Sequence, residues 1–235
     1  MVTKKPKYNK LSKKEPGRRT GKKHKKSLRK KIFIYLLLLV ATGILGFGIL
    51  FMAVFLGYTG HVPTSTQLNE IKNPQASEVF SDDGRLLGRY YTENRSNVRF
   101  EEISPNVIHA LIATEDARFY EHRGIDEIAL MRVLFKTILL GDRSAGGGST
   151  LSQQIAKNLF PRNDVGILSM PVNKLREAII AYRLERIYTK EEILTLYLNT
   201  VPFGENIFGI EVASERYFSK KPKDLTVDEA AVLVG

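Results

Sequence analysis

The sequence predicts a mainly α-helical domain tied to a membrane by one apolar helix, with a small β-hairpin ahead of the helical part. Three observations carry this. Ile32 to Tyr58 runs for 27 positions without a charge. As a helix that is about 40 Å, against roughly 30 Å for a hydrocarbon core. From Ser104-Pro105 onward the apolar spacing is almost wholly helical. Ahead of it, "SEVFSDDGRLLGRYY" sets two strand-like runs around Asp83-Gly84, a strong short-range hairpin signal.

Taken in order, residues 1–31 form a basic tail with fifteen Lys or Arg against one acid, Glu15. The rest of the chain has 21 basic and 24 acidic side chains (36 less 15, and 25 less 1), so the high net charge belongs to the tail. Residues 32–58 are too long for a signal-peptide core and lack a small-x-small cleavage site, which predicts an uncleaved single-pass anchor. The positive-inside rule keeps the tail cytoplasmic and places everything after Tyr58 outside. Topogenesis and anionic lipid account for the tail's charge, so no nucleic-acid partner is expected. Gly43, Gly46 and Gly48 offer a helix-packing face. Residues 59–76, with Pro63 and Pro74, read as a linker to a domain over 77–235.

In that domain Ser104 is the expected N-cap with Pro105 at the first helical position. Thr189 to Glu192 and Thr226 to Glu229 read as capping boxes. The last helix, "DEAAVLVG", stops in mid-stripe, which predicts a domain that continues. There is no cysteine, and two of the four histidines, His24 and His61, fall in tail and linker, against a multi-histidine zinc site. No Walker lysine follows Gly146-Gly147-Gly148, and the one Ser-x-x-Lys, Ser27 to Lys30, lies in the tail.

The chemistry concentrates in a few stretches. In "EDARFYEHRG" (115–124), Glu115, Phe119 and His122 are spaced four and three apart, so one helix would stack a carboxylate over an aromatic ring. Such a carboxylate is desolvated and suited to acid–base work. In "GGGSTLSQQIAKN" (146–158) a glycine run feeds a helix whose first-turn N–H groups would bind an anion. Ser149, Gln153 and Lys157 would line one face of it, fit for a sugar diphosphate. In "NKLREAIIAYRLE" (173–185), Leu175, Ile179 and Tyr182 are expected inward, with Lys174 and Glu177 on another face. "KEEILTLYLN" (190–199) and "GIEVASERYFSK" (209–220) read as scaffold with Tyr197 and Tyr217 in the core, and a lone histidine such as His122 as a core hydrogen-bonding residue.

"EDARFYEHRG" resembles the ED-x-x-F-x-x-H-x-G signature of the family 51 peptidoglycan glycosyltransferases, the polymerase module of class A penicillin-binding proteins and monofunctional transglycosylases. "GGSTLSQQIAKN", "KEEILTLYLN" and "GIEVASERYFSK" are similar to that family's second, fourth and fifth motifs, in order. The resemblance implies a lysozyme-like helical fold on the outer face of a bacterial cytoplasmic membrane. It implies polymerisation of lipid II into the lipid-linked glycan chain, with inversion and release of undecaprenyl diphosphate. Glu115 matches the base that takes the acceptor 4-hydroxyl proton, and Glu177 the second glutamate near the diphosphate. Asp116, Phe119, His122, Gly148, Ser149, Thr150, Gln153, Gln154, Lys157, Asn158, Lys174 and Asn199 fall at substrate-binding positions. A divalent cation, Mg2+ or Mn2+, is expected at the diphosphate, with no organic cofactor, and cell-wall synthesis proteins as partners.

Two departures stand out. Asn173 occupies the place of an expected arginine, for which Arg176 or Arg162 would substitute. The connection from Lys157 to Glu177 is long and carries "VGILSMP", which predicts a mobile lipid-facing lip over Leu159 to Val172. Two rival readings are a membrane-anchored lytic enzyme, which needs no diphosphate cations, and a non-catalytic bitopic scaffold, for which both glutamates would be replaceable.

Overall fold

The computed structural model describes residues 21–71, 77–83, 85–90, 94–95, 97–139, 147–204 and 207–235. Gly84 and Gly146, used in the hairpin and glycine-run expectations, lie outside them. The described chain is mainly helical, as expected, and forms two units, residues up to Ile49 and Leu50–Gly235.

Helix α1, Gly21–Phe55, holds the apolar run, and Leu28–Phe55 is long and apolar enough to cross a membrane. It stops three residues short of Tyr58. Gly57 takes φ +82°, its N–H bonds Val54 O, and Tyr58 N–H reaches back to Ala53 O. That pair of bonds is a Schellman stop, which needs a residue free to be left-handed.

Within 59–76, Thr64 and Gln67 make a capping box that opens α2, Ser65–Asn69, and Leu68 is fully buried. This stretch therefore supplies core rather than only span. Strands β1 (Ser77–Phe80) and β2 (Leu86–Tyr90) pair antiparallel, with Ser77 opposite Tyr90, as the hairpin reading requires. The short strands β3 (Asn94–Arg95) and β4 (Ile207–Phe208) pair in parallel.

Helix α3, Pro105–Glu115, starts on Ser104 as N-cap with Pro105 behind it. Helices α4 (Glu127–Leu139), α5 (Leu151–Leu159), α6 (Ser169–Ile187), α7 (Lys190–Thr200), α8 (Ile210–Phe218) and α9 (Val227–Val234) follow. Both expected capping boxes, at Thr189 and Thr226, are present. The core lies where α5 packs on α6 and α7, and where α3 packs on α9. Leu111, Phe119, Leu151, Ile155, Leu184 and Leu198 are all fully or almost fully buried there.

The inward face of α6 differs from the expected one. Leu175 and Ile179 are half-buried and Tyr182 is exposed, its ring beneath the Arg186 guanidinium. The buried face is instead Val172, Asn173, Arg176, Glu177, Ile180, Ala181 and Leu184. Apolar spacing misleads here because three polar residues find hydrogen-bonding partners inside. Tyr217 is likewise half-exposed rather than core, its hydroxyl donating to Phe203 O.

Gly124 fixes how the loop after α3 meets α6. It takes φ +89°, and a Cβ there would come within 2.7 Å of Ala181 O. Its carbonyl accepts the Thr150 hydroxyl at 2.7 Å. Gly124→Ala is therefore expected to lose about 2 kcal/mol or more from backbone strain and overlap together, read as a lower thermal midpoint in detergent.

Candidate active site

Glu115 is the last residue of α3, and the helix ends there because Asp116 leaves helical geometry as C-cap. This corrects the single-helix reading of "EDARFYEHRG". Phe119 lies in a separate 3-10 turn, Phe119–Glu121, and His122 caps it. The Phe119 ring is buried, meets the Tyr120 and His122 rings edge-on at 5.3 and 6.2 Å, and carries Lys190 Nζ at 4.2 Å from its centroid, so the charge over it is an ammonium on α7.

The turn's polar groups lock helices together. Both Asp116 carboxylate oxygens lie 3.0 Å from His122 Nε2, and Oδ2 also accepts the Leu151 N–H at 3.0 Å. Glu185 accepts the Ser152 hydroxyl at 2.7 Å and pairs with Lys190 at 2.6 Å, while Lys190 also donates to His122 O. His122 is buried and hydrogen-bonded, as a lone histidine was expected to be.

The same bonds correct the anion site expected at the start of α5. Thr150 is the N-cap, its hydroxyl accepting Gln153 N–H while Gln153 Oε1 accepts Thr150 N–H. Leu151 N–H is already taken by Asp116. Three of the four N–H groups that open the helix are thus spent inside the protein, and positive charge for a ligand comes from side chains instead. The Thr-x-x-Gln spacing of residues 150–153 is the sequence signal for this box.

Those side chains line a cavity of about 210 Å³ formed by Ser149, Gln153, Gln154, Lys157, Asn158, Arg162, Lys174 and Glu177. The Glu177 side chain is 5% exposed and held from two sides. Arg162 Nε and Nη2 donate to Oε1 at 2.9 and 2.8 Å, and Lys174 Nζ lies 2.8 Å from Oε2. Lys174 Nζ also donates to Ser149 Oγ at 3.0 Å. Three cations against one carboxylate leave an excess of two positive charges. This Lys174–Glu177 pair is no surface ion pair worth tenths of a kcal/mol, because one member is buried.

Asn173 explains how Arg162 gets there. Its side-chain oxygen accepts Asn163 N–H, and its amide donates to Asn163 O and Ser169 O. Arg176 Nη1 donates to Pro161 O, so the backbone on both sides of Arg162 is pinned. Of the two arginines considered as substitutes, Arg162 reaches the cavity. Arg176 is buried and turned to Pro161, Asn173 and His61 O.

A second, larger cavity of about 620 Å³ takes in Glu115, Tyr197, Phe203, Tyr217 and Phe218. Gln154 connects the two: its Nε2 donates to Glu115 Oε2 at 2.7 Å, and its Oε1 accepts the Tyr197 hydroxyl at 3.1 Å. Burial first, and the Glu115 charge second, push the Tyr197 phenol up to about 12.

The structure thus brings Ser149, Gln153, Gln154, Lys157, Asn158, Lys174 and Glu177 to one cavity and Glu115 to the adjoining one. Gly148, half-buried against Val133, precedes that cluster in the chain. Asp116, Phe119, His122 and Thr150 line neither cavity and hold the walls instead. Asn199 departs furthest from a substrate-binding role, its amide exchanging hydrogen bonds with Val98 N–H and O at 3.0 and 2.9 Å.

The sequence model described as Transglycosylase matches residues 83–235, well over half the chain. The chain belongs to this transglycosylase family. It is 41% identical over 207 residues to penicillin-binding protein 1F of Bacillus subtilis, covering 88% of this chain and 28% of that protein. It is 37% identical over 174 residues to penicillin-binding protein 1A of Vibrio cholerae, covering 74% and 20%. With penicillin-binding protein 1A of Aquifex aeolicus the identity is 38% over 175 residues, covering 74% and 23%. This transglycosylase chain therefore spans no more than 28% of the length of these relatives.

A divalent cation such as Mg2+ or Mn2+ is bound through oxygen ligands, carboxylates above all. Glu177 is the one carboxylate on the cation-lined cavity; Arg162 donates to its Oε1, while Oε2 lies 2.8 Å from Lys174 Nζ without accepting a hydrogen bond. Among the described residues no group of three or more His, Asp or Glu is arranged to hold a metal ion. One carboxylate does not make an all-protein Mg2+ or Mn2+ cage, and a cation here would need ligand oxygens from the diphosphate as well.

Proposed function

We propose that this transglycosylase domain polymerises glycan strands, passing a growing lipid-linked chain to the 4-hydroxyl of lipid II. The observation that carries this is the division of labour between two adjoining cavities. One carboxylate, Glu115, accepts a single amide hydrogen bond away from the cations, and the other, Glu177, sits inside a cation cluster.

In the reaction Glu115 takes the proton of the acceptor 4-hydroxyl as that oxygen bonds to the donor anomeric carbon. The bond from that carbon to the diphosphate oxygen breaks, and the electron pair leaves with undecaprenyl diphosphate. Attack opposite the leaving group inverts the centre. A diphosphate leaves with its own negative charge and needs cations more than a proton, which Lys157, Arg162 and Lys174 supply. Glu177 holds Arg162 and Lys174 in register for it. A lytic enzyme would have no use for this cluster. Any Mg2+ or Mn2+ would have to arrive on the diphosphate itself.

The same reading puts the domain at a bilayer surface, with the basic tail cytoplasmic and this domain outside. Asn163 donates to the backbone of Thr59, four residues after α1 ends, so the segment that follows Asn163 starts near the membrane boundary. Ile167, Leu168 and Met170 in it are exposed, Ile167 completely. Backbone exchange over residues 164–171 is expected to slow in lipid nanodiscs relative to detergent. Protection equal to that of the helices in both media would remove the lip.

The deciding assay is polymerisation of labelled lipid II by the full chain in detergent, resolved as a ladder of glycan lengths. A lengthening ladder is expected. Shortening of preformed glycan, or no reaction at all, overturns the proposal.

A further inference from the structure

Tyr197 is buried to 6% exposure in the scaffold of α7, yet its hydroxyl is aimed at the site. It donates to Gln154 Oε1, and the other end of the same amide donates to Glu115 Oε2. A primary amide has an accepting end and a donating end, so whatever fixes one fixes the other.

We propose that Tyr197 is a positioning residue that locks the Gln154 amide with its N–H toward Glu115, and so holds that carboxylate in the orientation in which it accepts a proton. The inference rests on Glu115 being the base and deepens that reading. Turned over, the amide would present its oxygen to Glu115, an arrangement that repels a carboxylate and suits only the protonated acid. A phenol is a better donor than acceptor, so Tyr197 selects the first arrangement. Because the phenol is pushed up to about 12, it keeps its proton wherever a carboxylate base can work. After each transfer the locked N–H faces a protonated carboxyl that it disfavours, which favours loss of that proton and return of the base.

The test reads the carboxyl directly. The full chain is made with 13C-carboxyl glutamate, the Glu115 resonance is identified by its loss in Glu115→Gln, and it is titrated in detergent. In Tyr197→Phe the midpoint is expected to rise by about half to one pH unit. Gln154→Ala should give a similar rise, and combining the two should add nothing further. An unchanged midpoint in Tyr197→Phe, or rises that add in the double variant, overturns the lock. If the Phe variant does not fold, the Gln154 side-chain amide is read in the unaltered chain by 15N labelling: one fixed pair of N–H resonances supports the lock, and exchange between two amide orientations overturns it. The titration needs no turnover, so it separates failure of the lock from failure of the polymerase reading, which the glycan ladder judges.

Discussion

Glu115→Gln is expected to slow glycan polymerisation by about 10²- to 10⁴-fold, the usual contribution of a positioned carboxylate base. The substitution preserves shape and removes only the ability to take a proton. Gln154 can still hydrogen-bond the new amide, so the two cavities keep their walls. The loss should therefore fall on turnover, with substrate affinity little changed, because the proton moves only as the new bond forms. Single-turnover rates on labelled lipid II, beside a measurement of substrate binding, separate the two. A variant that loses binding and turnover together would mean that Glu115 grips the acceptor rather than deprotonating it.

Much of this arrangement was legible in the residues, and the misses have a common cause. The apolar helix, the helix starts at Ser104, Thr189 and Thr226, and the pairing of β1 with β2 rest on local chemistry, which the chain states outright. The convergence of Ser149, Lys157, Lys174 and Glu177 is what the family resemblance implies, and spacing alone puts them on two separate helix faces. Misreadings arose where a polar side chain was assumed to face a ligand and faces the protein instead. Asn199 spends its amide on Val98, Asp116 spends its carboxylate on Leu151 and His122, and Arg176 reaches backbone oxygens 15 and 115 residues away in sequence. Long-range hydrogen bonds of that kind leave no periodicity behind. Glu185 and Lys190 were invisible for the same reason, since each is an ordinary charged residue until α6 and α7 close around Phe119.

Asp116 offers the sharpest stability test. Removing its carboxylate in Asp116→Ala strands the Leu151 N–H and His122 Nε2, both buried, and opens the joint between α3 and α5. Two unsatisfied buried groups cost about 1–3 kcal/mol each, so a loss of about 3 kcal/mol or more is expected. For a domain of this size that lowers the thermal midpoint by about 6–12 °C. Asp116→Asn should cost about half as much, for a specific reason. Its oxygen can keep the Leu151 bond while its amide faces His122 Nε2, which then must accept and send the ring proton to Nδ1. That nitrogen has no hydrogen-bond partner among the described residues and lies 3.9 Å from Glu185 Oε1, so an acceptor waits there. Equal losses in the Ala and Asn variants would mean that the negative charge, and not the pair of hydrogen bonds, makes the joint.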